Sequence, residues 1–385
     1  MAPCGFDSRL RHQSPLREAS ETYDAKDEWP PTKLDAVSKR VGILTGGGDC
    51  PGLNAVIRAV TRRTLARGGE AIGVREGWRG LVEGRFMELG SREISGILPR
   101  GGTILGTTRT NPYMSDGGVE RVLEHFAAER LDALVAIGGE DTLGVASRLY
   151  EEQDFPVVGV PKTIDNDLSA TDYTFGFDTA VWIATEAIDR LHTTAESHNR
   201  VMVVEVMGRH TGWIAVMSGI AGGADVILIP EHPVTVEEAC DDLQRRHERG
   251  KDFSIVVVSE GYELTYASGE KRQVAQEAAA TDQFGHVRLG GVGEQLAREI
   301  EERTGFESRV TVLGHVQRGG SPTPRDRVLA TRYGLKAADL VEEGRFGTMA
   351  ALQGDDIVDV PLAAAVAELK TVPPRWYDVA RAFFG

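Results

Sequence analysis

The chain has 385 residues, 41% of them apolar, which is enough for one large or two medium α/β domains with buried cores. Its formal net charge of −15 argues against a general nucleic-acid or anionic-membrane binder. The three cysteines are too widely spaced for a disulfide framework or a metal motif, and neither a signal peptide nor a long apolar run is present, so a cytoplasmic protein is expected.

The predicted regular elements begin at Arg40, because residues 1–38 are polar and are predicted to be an N-terminal extension. An apolar run from Arg40 to Thr45 ends in three glycines, and a helical pattern follows from about Leu53 to Ala66. Similar apolar strands, each ending in a polar turn, are predicted at 133–137, 157–160, 201–206, 224–229 and 254–259. This alternation predicts an α/β fold with two similar doubly wound lobes, largely parallel sheets and a cleft between the lobes.

The predicted domain boundaries follow from the same pattern. Residues 39–178 and about 306–345 are expected to form one lobe, and residues from about 179 to 305 the other. Residues 346–385 are expected to be a C-terminal extension. In doubly wound folds ligands bind beyond the carboxyl ends of the strands, and the polar clusters of this sequence lie there.

The first polar cluster is a glycine triplet, Gly46–Gly48, between a strand and a helix. Glycines let backbone N–H groups approach an anion closely, and the start of the next helix adds a favourable dipole. A tight turn without a ligand explains the triplet equally well. The spacing matches neither the dinucleotide-binding motif nor the P-loop motif.

Two further clusters contain paired carboxylates. Glu140 and Asp141 follow two glycines, and they would repel a phosphate unless a cation such as Mg²⁺ intervened, although an acidic helix N-terminus is the simpler interpretation. Asp165 and Asp167 follow another strand, where one could act as a general base toward a hydroxyl while the other holds a metal. The alternative for this second pair is an ordinary Asx-rich turn.

Basic side chains at predicted strand ends or glycine-flanked turns could offset the negative net charge locally. Arginine forks match phosphate oxygens bidentately. The set comprises Arg109, Arg200, Arg209, Arg309, His315 and Arg318.

Together these clusters resemble the phosphofructokinase family over about residues 40–335. The matching stretches are 47–54, 161–167, 207–212, 259–261 and 313–322, and their order and spacing also match. The resemblance implies Mg²⁺-dependent phosphoryl transfer to fructose 6-phosphate in glycolysis. The lobe that begins at residue 39 would bind the phosphoryl donor, and the other lobe would bind the sugar phosphate.

The resemblance also implies a role for each site residue. Asp165 would take the proton of the sugar 1-hydroxyl with Thr163 nearby, and Asp167 and Glu140 would hold Mg²⁺. The backbone N–H of Gly47 and the side chain of Arg109 would bind the transferring phosphoryl group. The residues implied to hold the sugar phosphate are Met207, Gly208, Arg209, Glu260, His315 and Arg318. The implied contacts from a neighbouring subunit of a homodimer or homotetramer are Arg200 and Arg309.

Two positions in the family distinguish the phosphoryl donor. Members that use ATP resemble each other in a glycine at both positions, whereas members that use pyrophosphate have an aspartate and a lysine. This chain has Asp141 and Lys162. Asp141 would occupy the space of the nucleotide α-phosphate, and Lys162 would offer a compact charge to a small anion. The resemblance therefore implies pyrophosphate, with ATP as the alternative, although Glu140 replaces the usual metal-linked aspartate.

Alternatives from other classes are a kinase that resembles NAD kinases or diacylglycerol kinases and a non-catalytic subunit of the same fold. Segments 207–212 and 313–320 do not belong to those other kinases. A non-catalytic subunit is expected to lack Asp165, Arg109 or Arg209, and all three are present.

Overall fold

The structure is a computed structural model that describes residues 38–274 and 289–384. Residues 1–37, nearly all of the predicted N-terminal extension, lie outside the described residues. The strands are β1 (Arg40–Thr45), β2 (Glu70–Val74), β3 (Phe86–Glu88), β4 (Ala133–Gly138), β5 (Val157–Thr163), β6 (Phe175–Gly176), β7 (Val201–Val206), β8 (Val226–Leu228), β9 (Ser254–Ser259), β10 (Leu264–Thr265), β11 (Lys271–Arg272), β12 (Ser308–Val312), β13 (Thr348–Gln353) and β14 (Asp356–Pro361). The helices are α1 (Leu53–Ala66), α2 (Trp78–Glu83), α3 (Gly118–Ala128), α4 (Glu140–Gln153), α5 (Phe177–His198), α6 (Trp213–Ala221), α7 (Val236–Glu248), α8 (Val292–Thr304), α9 (Pro324–Glu342), α10 (Leu362–Val366) and α11 (Pro374–Arg381).

The first sheet has the strand order β14-β13-β5-β4-β1-β2-β3, with the short β6 beside β5. Its central strands are parallel, and the edge strands β3 and β14 are antiparallel to their neighbours. Both faces of β4 are buried, so helices must cover the sheet on both sides. Ile43 and Val135 pack toward α1 and α9, whereas Leu44 and Leu134 pack toward α4.

The second sheet has the order β12-β7-β9-β8, and its strands are all parallel. Alternate residues of β7 face opposite sides, as the strand period of two requires. Met202 and Val204 pack with residues of α5 and α6, whereas Val201 and Val203 pack with residues of α7 and α8. The two largely parallel sheets confirm the predicted α/β fold class.

One apolar cluster joins the two sheets. It contains Ile43 and Val135 of the first sheet together with Met202 and Val204 of the second. Residues from Ser38 onward accordingly form one compact unit, in which the carboxyl ends of both sheets have a fixed relation. Among the described residues, no helix is long and apolar enough to cross a membrane.

The strand pairing differs from the predicted boundaries in two places. The predicted donor lobe included residues from about 306, but β12 pairs with β7 in the second sheet. The predicted C-terminal extension contains β13 and β14, which belong to the first sheet. Residues 349–352 of β13 are Met, Ala, Ala and Leu, so the strand lacks the β-branched run that marks the other buried strands. A division into two independent domains stays a prediction.

Candidate active site

Loops from both sheets line one cleft of about 540 Å³. The adjacent strands β1, β4 and β5 end at the same edge of the first sheet, because parallel neighbours run in one direction. The second sheet contributes through the loops after β7 and β12. The predicted site residues that line the cleft are Gly47, Arg109, Glu140, Asp141, Lys162, Thr163, Asp165, Asp167, Arg209 and Arg318.

The glycine turn after β1 is shaped by its neighbours. A Cβ on Gly48 would lie 2.8 Å from Nη1 of Arg318, so only glycine lets that guanidinium approach. Gly47 has a φ of +78°, a conformation that side chains rarely adopt. The Gly47 N–H, which the sequence analysis assigned to the phosphoryl group, donates instead to the Thr108 carbonyl over 3.1 Å. In this conformation the Gly47 N–H is therefore not free to bind a ligand. Gly47 contributes to the cleft only a backbone without a side chain.

Lys162 places a buried cation beside the glycine turn. Its side chain is 4% exposed, and Nζ donates to the Gly48 carbonyl. Burial lowers the pKa of this ammonium, because removal from water penalises its charged form. A bound anion in the cleft would therefore favour the charged form of Lys162.

The turn after β5 carries two buried carboxylates. Oδ1 of Asp165 and Oδ1 of Asp167 are each buried without a hydrogen-bond partner among the described residues. Burial raises the pKa of both carboxyl groups, and the charge of Asp167 raises the pKa of Asp165 further. The Asp165 N–H donates to Thr163 Oγ1 over 3.0 Å, which fixes the start of the turn. Two such oxygens call for a cation or a proton donor.

The residues of the cleft fit a magnesium ion only if the substrate supplies some of the ligands. Within residues 38–274 and 289–384, no group of three or more His, Cys, Asp or Glu side chains could hold a metal by itself. Mg²⁺ in phosphoryl-transfer sites is commonly held by one or two carboxylates together with water and phosphate oxygens. The orphaned Oδ1 of Asp167 suits that coordination, and Glu140 lines the same cleft.

Backbone geometry fixes the second-sheet side of the cleft. Gly208 has a φ of +152°, and a Cβ there would lie 2.4 Å from the Thr211 carbonyl oxygen. The Arg209 N–H donates to Glu260 Oε1 over 3.2 Å, and burial raises the pKa of Glu260. The Met207 N–H donates to Gln317 Oε1 over 2.8 Å. Gln317 thus ties the short 3₁₀ helix that contains His315 and Arg318 to the end of β7.

Sequence reasoning missed Gln317. Its side chain is fully buried, although it lies between the exposed His315 and the half-buried Arg318. The signal in the sequence was a neutral amide among the basic residues of the stretch 313–322. Such a signal is too weak to distinguish a buried position from a surface position.

Six predicted site residues do not line the cleft: Arg200, Met207, Gly208, Glu260, Arg309 and His315. Arg200 and Arg309 both form ion pairs with Glu307, next to the edge strand β12. Two apolar side chains on the second-sheet side of the molecule are exposed. Val316 of the 3₁₀ helix is 61% exposed, and Trp182 of α5, which packs against that helix, is 60% exposed.

A second cavity of about 570 Å³ lies on the other side of Glu140 and Asp141, which line both spaces. Its wall includes Tyr113, and the Arg148 guanidinium lies 3.8 Å from the centre of that ring. The two acidic residues therefore stand between this cavity and the cleft. No sequence pattern indicates this cavity, because its wall combines a loop residue with residues of α4 and α10.

Comparison with known proteins gives consistent matches over most of the chain. A model of the family described as Phosphofructokinase matches residues 40–341. The pyrophosphate–fructose 6-phosphate 1-phosphotransferase of Amycolatopsis methanolica is 62% identical over 347 residues, which cover 90% of this chain and 100% of that protein. The ATP-dependent 6-phosphofructokinase of Mycobacterium leprae is 54% identical over 348 residues, with the same coverage. The relatives thus include proteins named for each of the two donors.

A solved structure of phosphofructokinase from Saccharomyces cerevisiae also has this fold. It matches with a TM-score of 0.72 at 32% identity and covers 86% of this chain. This chain spans 45% of that longer one.

Proposed function

The chain belongs to the phosphofructokinase family, and we propose that it transfers a phosphoryl group from pyrophosphate to fructose 6-phosphate, a reaction of glycolysis. The products are fructose 1,6-bisphosphate and phosphate. The observation that carries the choice of donor is the pair formed by the buried Lys162 and the acidic Asp141 in one cleft. The reaction is expected to run readily in reverse, because the phosphoryl-transfer potential of pyrophosphate is closer to that of the sugar phosphate than the potential of ATP is.

Asp165 is the proposed general base. Its carboxylate takes the proton of the sugar 1-hydroxyl while that oxygen forms a bond to the terminal phosphorus of pyrophosphate. The bond from this phosphorus to the bridging oxygen breaks, and its electron pair leaves with the phosphate product. The unpartnered Oδ1 of Asp165 is available for the proton, and the bond from its N–H to Thr163 holds the residue in place.

The charges that line the cleft suit phosphoryl transfer. Arg109, Lys162, Arg209 and Arg318 supply four cations. They neutralise negative charge on the donor and in the transition state, where the catalytic contribution is chiefly electrostatic. Mg²⁺, held by Asp167 and directly or through water by Glu140, would supply further neutralisation of the phosphate oxygens when bound.

The sugar phosphate is assigned to the second-sheet side of the cleft. Arg209 and Arg318 line the cleft there and offer charge to the 6-phosphate, with His315 beside them. Met207, Gly208 and Glu260 shape the turn that would receive the sugar hydroxyls.

Asp141 is the proposed barrier against a nucleotide. ATP bound with its γ-phosphate in the cleft would have to extend past residues 140 and 141, toward the cavity beside Tyr113. A carboxylate at that boundary repels the α-phosphate and occupies its space. ATP remains the second candidate donor, since a relative named ATP-dependent is 54% identical to this chain.

We also propose that a second copy of the chain completes the site. Arg309 belongs to the edge strand β12, and Arg200 shares its ion-pair partner Glu307. Neither arginine lines the cleft, and Val312 of the same strand is an exposed apolar residue. In a homodimer or homotetramer these arginines would reach the 6-phosphate in a neighbour's cleft. A cytoplasmic location belongs to the same proposal, because charged sugar phosphates do not cross membranes unaided.

An assay with both donors tests the function. The purified chain is incubated with Mg²⁺ and fructose 6-phosphate plus either pyrophosphate or ATP, and fructose 1,6-bisphosphate is measured. We expect kcat/KM to be at least about tenfold higher with pyrophosphate. A sample without fructose 6-phosphate controls for donor hydrolysis. Turnover with ATP alone would overturn the donor assignment, and no turnover with either donor would overturn the function.

A further inference from the structure

A lysine near the end of the chain contacts the turn that carries the two buried carboxylates. Lys370 Nζ donates to Asn166 Oδ1 over 3.1 Å, to the Thr171 carbonyl over 2.9 Å and to the Asp172 carbonyl over 2.6 Å. The Trp213 ring centre lies 5.3 Å from the same ammonium. All three donors of the lysine are thus engaged by one stretch of chain, residues 166–172.

The backbone at Leu369 and Lys370 contacts the same stretch of chain. The Lys370 N–H donates to the Asp167 carbonyl over 2.9 Å, and Leu369 forms an antiparallel bridge with Leu168. The Trp213 indole N–H donates to the Lys370 carbonyl over 2.9 Å. Residues 369 and 370 therefore pair with residues 167 and 168 of the turn through their backbones.

Asn166 shows why this contact concerns catalysis. It lies between Asp165 and Asp167, is fully buried and has a φ of +52°. Its Oδ1 accepts one hydrogen bond from Lys370 and another from the Thr174 N–H over 3.1 Å. A residue in the left-handed backbone conformation is strained, so such hydrogen bonds are needed to stabilise it. The directions of the neighbouring carboxylates depend on this backbone conformation.

The C-terminal segment after β14, residues 362–384, contains Lys370 and is here called the tail. It is anchored to the second-sheet side of the molecule. Glu231 Oε1 accepts from the Val372 N–H and from the Gly212 N–H, each over 3.0 Å. Tyr377 stacks on His232 with ring centres 4.6 Å apart. The tail therefore gives Lys370 a defined position relative to both sheets.

We propose that Lys370 is a positioning residue for phosphoryl transfer, which holds Asp165 and Asp167 in their reactive geometry through Asn166 and the adjacent carbonyls. The inference rests on the proposed function of the same site. Lys370 does not line the cleft, so it affects the rate of the chemical step rather than substrate binding. A misplacement of reacting groups by about 1 Å can lower a rate about 100-fold.

The first test compares Lys370→Met with Lys336→Met, which removes a lysine whose ion pair is with Asp359 rather than with residues 166–172. We expect Lys370→Met to lower kcat by about 10- to 100-fold with KM for fructose 6-phosphate within about threefold of wild type. Lys336→Met should keep the wild-type kcat. A kcat of Lys370→Met within about twofold of wild type would overturn the inference alone, whereas an inactive wild type would overturn the proposed function.

Chemical rescue separates positioning from a loss of stability. Lys370→Ala removes a group equivalent to propylammonium, so added propylammonium is expected to restore kcat, while propan-1-ol at the same concentration should not. The amine and the alcohol are compared on the same variant, so a general loss of stability cannot explain a difference between them. Equal effects of the amine and the alcohol would contradict the proposal.

Discussion

The two sides of the cleft differ in how many of their predicted site residues line it. On the first-sheet side, Gly47 and Asp141 follow β1 and β4, Lys162 lies near the end of β5, and all three line the same cleft. On the second-sheet side, Arg209 and Arg318 line the cleft, but the predicted phosphate ligands Arg200 and Arg309 lie outside it beside an edge strand. Central strands of a parallel sheet bring their ends together without help, whereas an edge strand presents its residues to another surface.

This difference separates two properties of the proposed enzyme. The choice of donor is expected to depend on the first-sheet side of a single chain. Binding of the sugar phosphate is expected to depend on association with a second chain. Asp165 lies where the two sides meet, since Thr211 Oγ1 of the second-sheet side donates to its carbonyl over 3.3 Å.

The largest expected effect is at this meeting point. Asp165→Asn keeps the size of the side chain but removes the base, so kcat should fall by about 10²- to 10⁴-fold with either donor. KM for fructose 6-phosphate should change little. Steady-state kinetics measures both, with the thermal midpoint as a folding control. A loss of less than about tenfold would show that another group takes the proton.

The next effect tests the incomplete second-sheet side. Arg309→Ala is expected to raise KM for fructose 6-phosphate by about 10- to 100-fold, the value of a charge-assisted phosphate contact. If the arginine acts in a neighbour's site, mixed dimers of Arg309→Ala and Asp165→Asn chains each contain one intact site. An equimolar co-expressed mixture should then recover about a quarter of wild-type activity. Recovery no greater than the sum of the two variants would contradict a shared site.

A smaller effect is expected at Glu140 on the first-sheet side. Glu140→Gln removes the carboxylate at constant length, so the Mg²⁺ concentration for half-maximal activity should rise by about tenfold. Glu140→Asp is the matched control, because it keeps the charge. Titration with Mg²⁺ at saturating substrates measures the change. An unaltered Mg²⁺ dependence in the Gln variant would remove Glu140 from the metal site.

The smallest effect concerns Asp326 in the first turn of α9, which accepts hydrogen bonds from the Thr179 N–H and hydroxyl. Burial raises the pKa of Asp326 to about 6. The native state therefore binds a proton more tightly than the unfolded state, so the contribution of this carboxyl to stability is lost as pH rises through 6. Between pH 4 and 7, Asp326→Asn should gain about 1 to 3 kcal/mol of unfolding free energy relative to wild type.

Denaturant unfolding at both pH values measures that gain. Asparagine can keep both bonds to Thr179 through its carbonyl oxygen, so the variant is a close structural match. A difference between the variant and wild type that is constant with pH would show that Asp326 does not titrate in this range.

The elements that the sequence predicted well are those with a strong local pattern. The strands β1, β7 and β9 and the helix α1 begin and end at the predicted residues, because each is a continuous apolar run or a clear amphipathic repeat. Of the ten predicted site residues in the cleft, nine lie at or soon after the ends of β1, β4, β5, β7 and β12, whereas Arg109 lies in the long loop after β3. β13 was missed because its alanines carry no strand preference.

Contacts between distant parts of the chain were beyond the sequence. Lys370 and Asn166 are 204 residues apart, and no local pattern relates them. The cavity behind Asp141 likewise depends on how α4 packs against α10. Local chemistry thus predicted most of the residues that line the cleft, and tertiary packing determines which residues contact them from behind.

The central claim is that residues 141 and 162 select the donor. Its most direct test is the ratio of kcat/KM for pyrophosphate to kcat/KM for ATP, measured for wild type and for the Asp141→Gly, Lys162→Gly double variant. We predict that wild type prefers pyrophosphate and that the double variant lowers the ratio by about 100-fold, as removal of the acidic barrier admits the nucleotide. A wild type that prefers ATP, or a ratio that the double variant leaves unchanged, would contradict the claim.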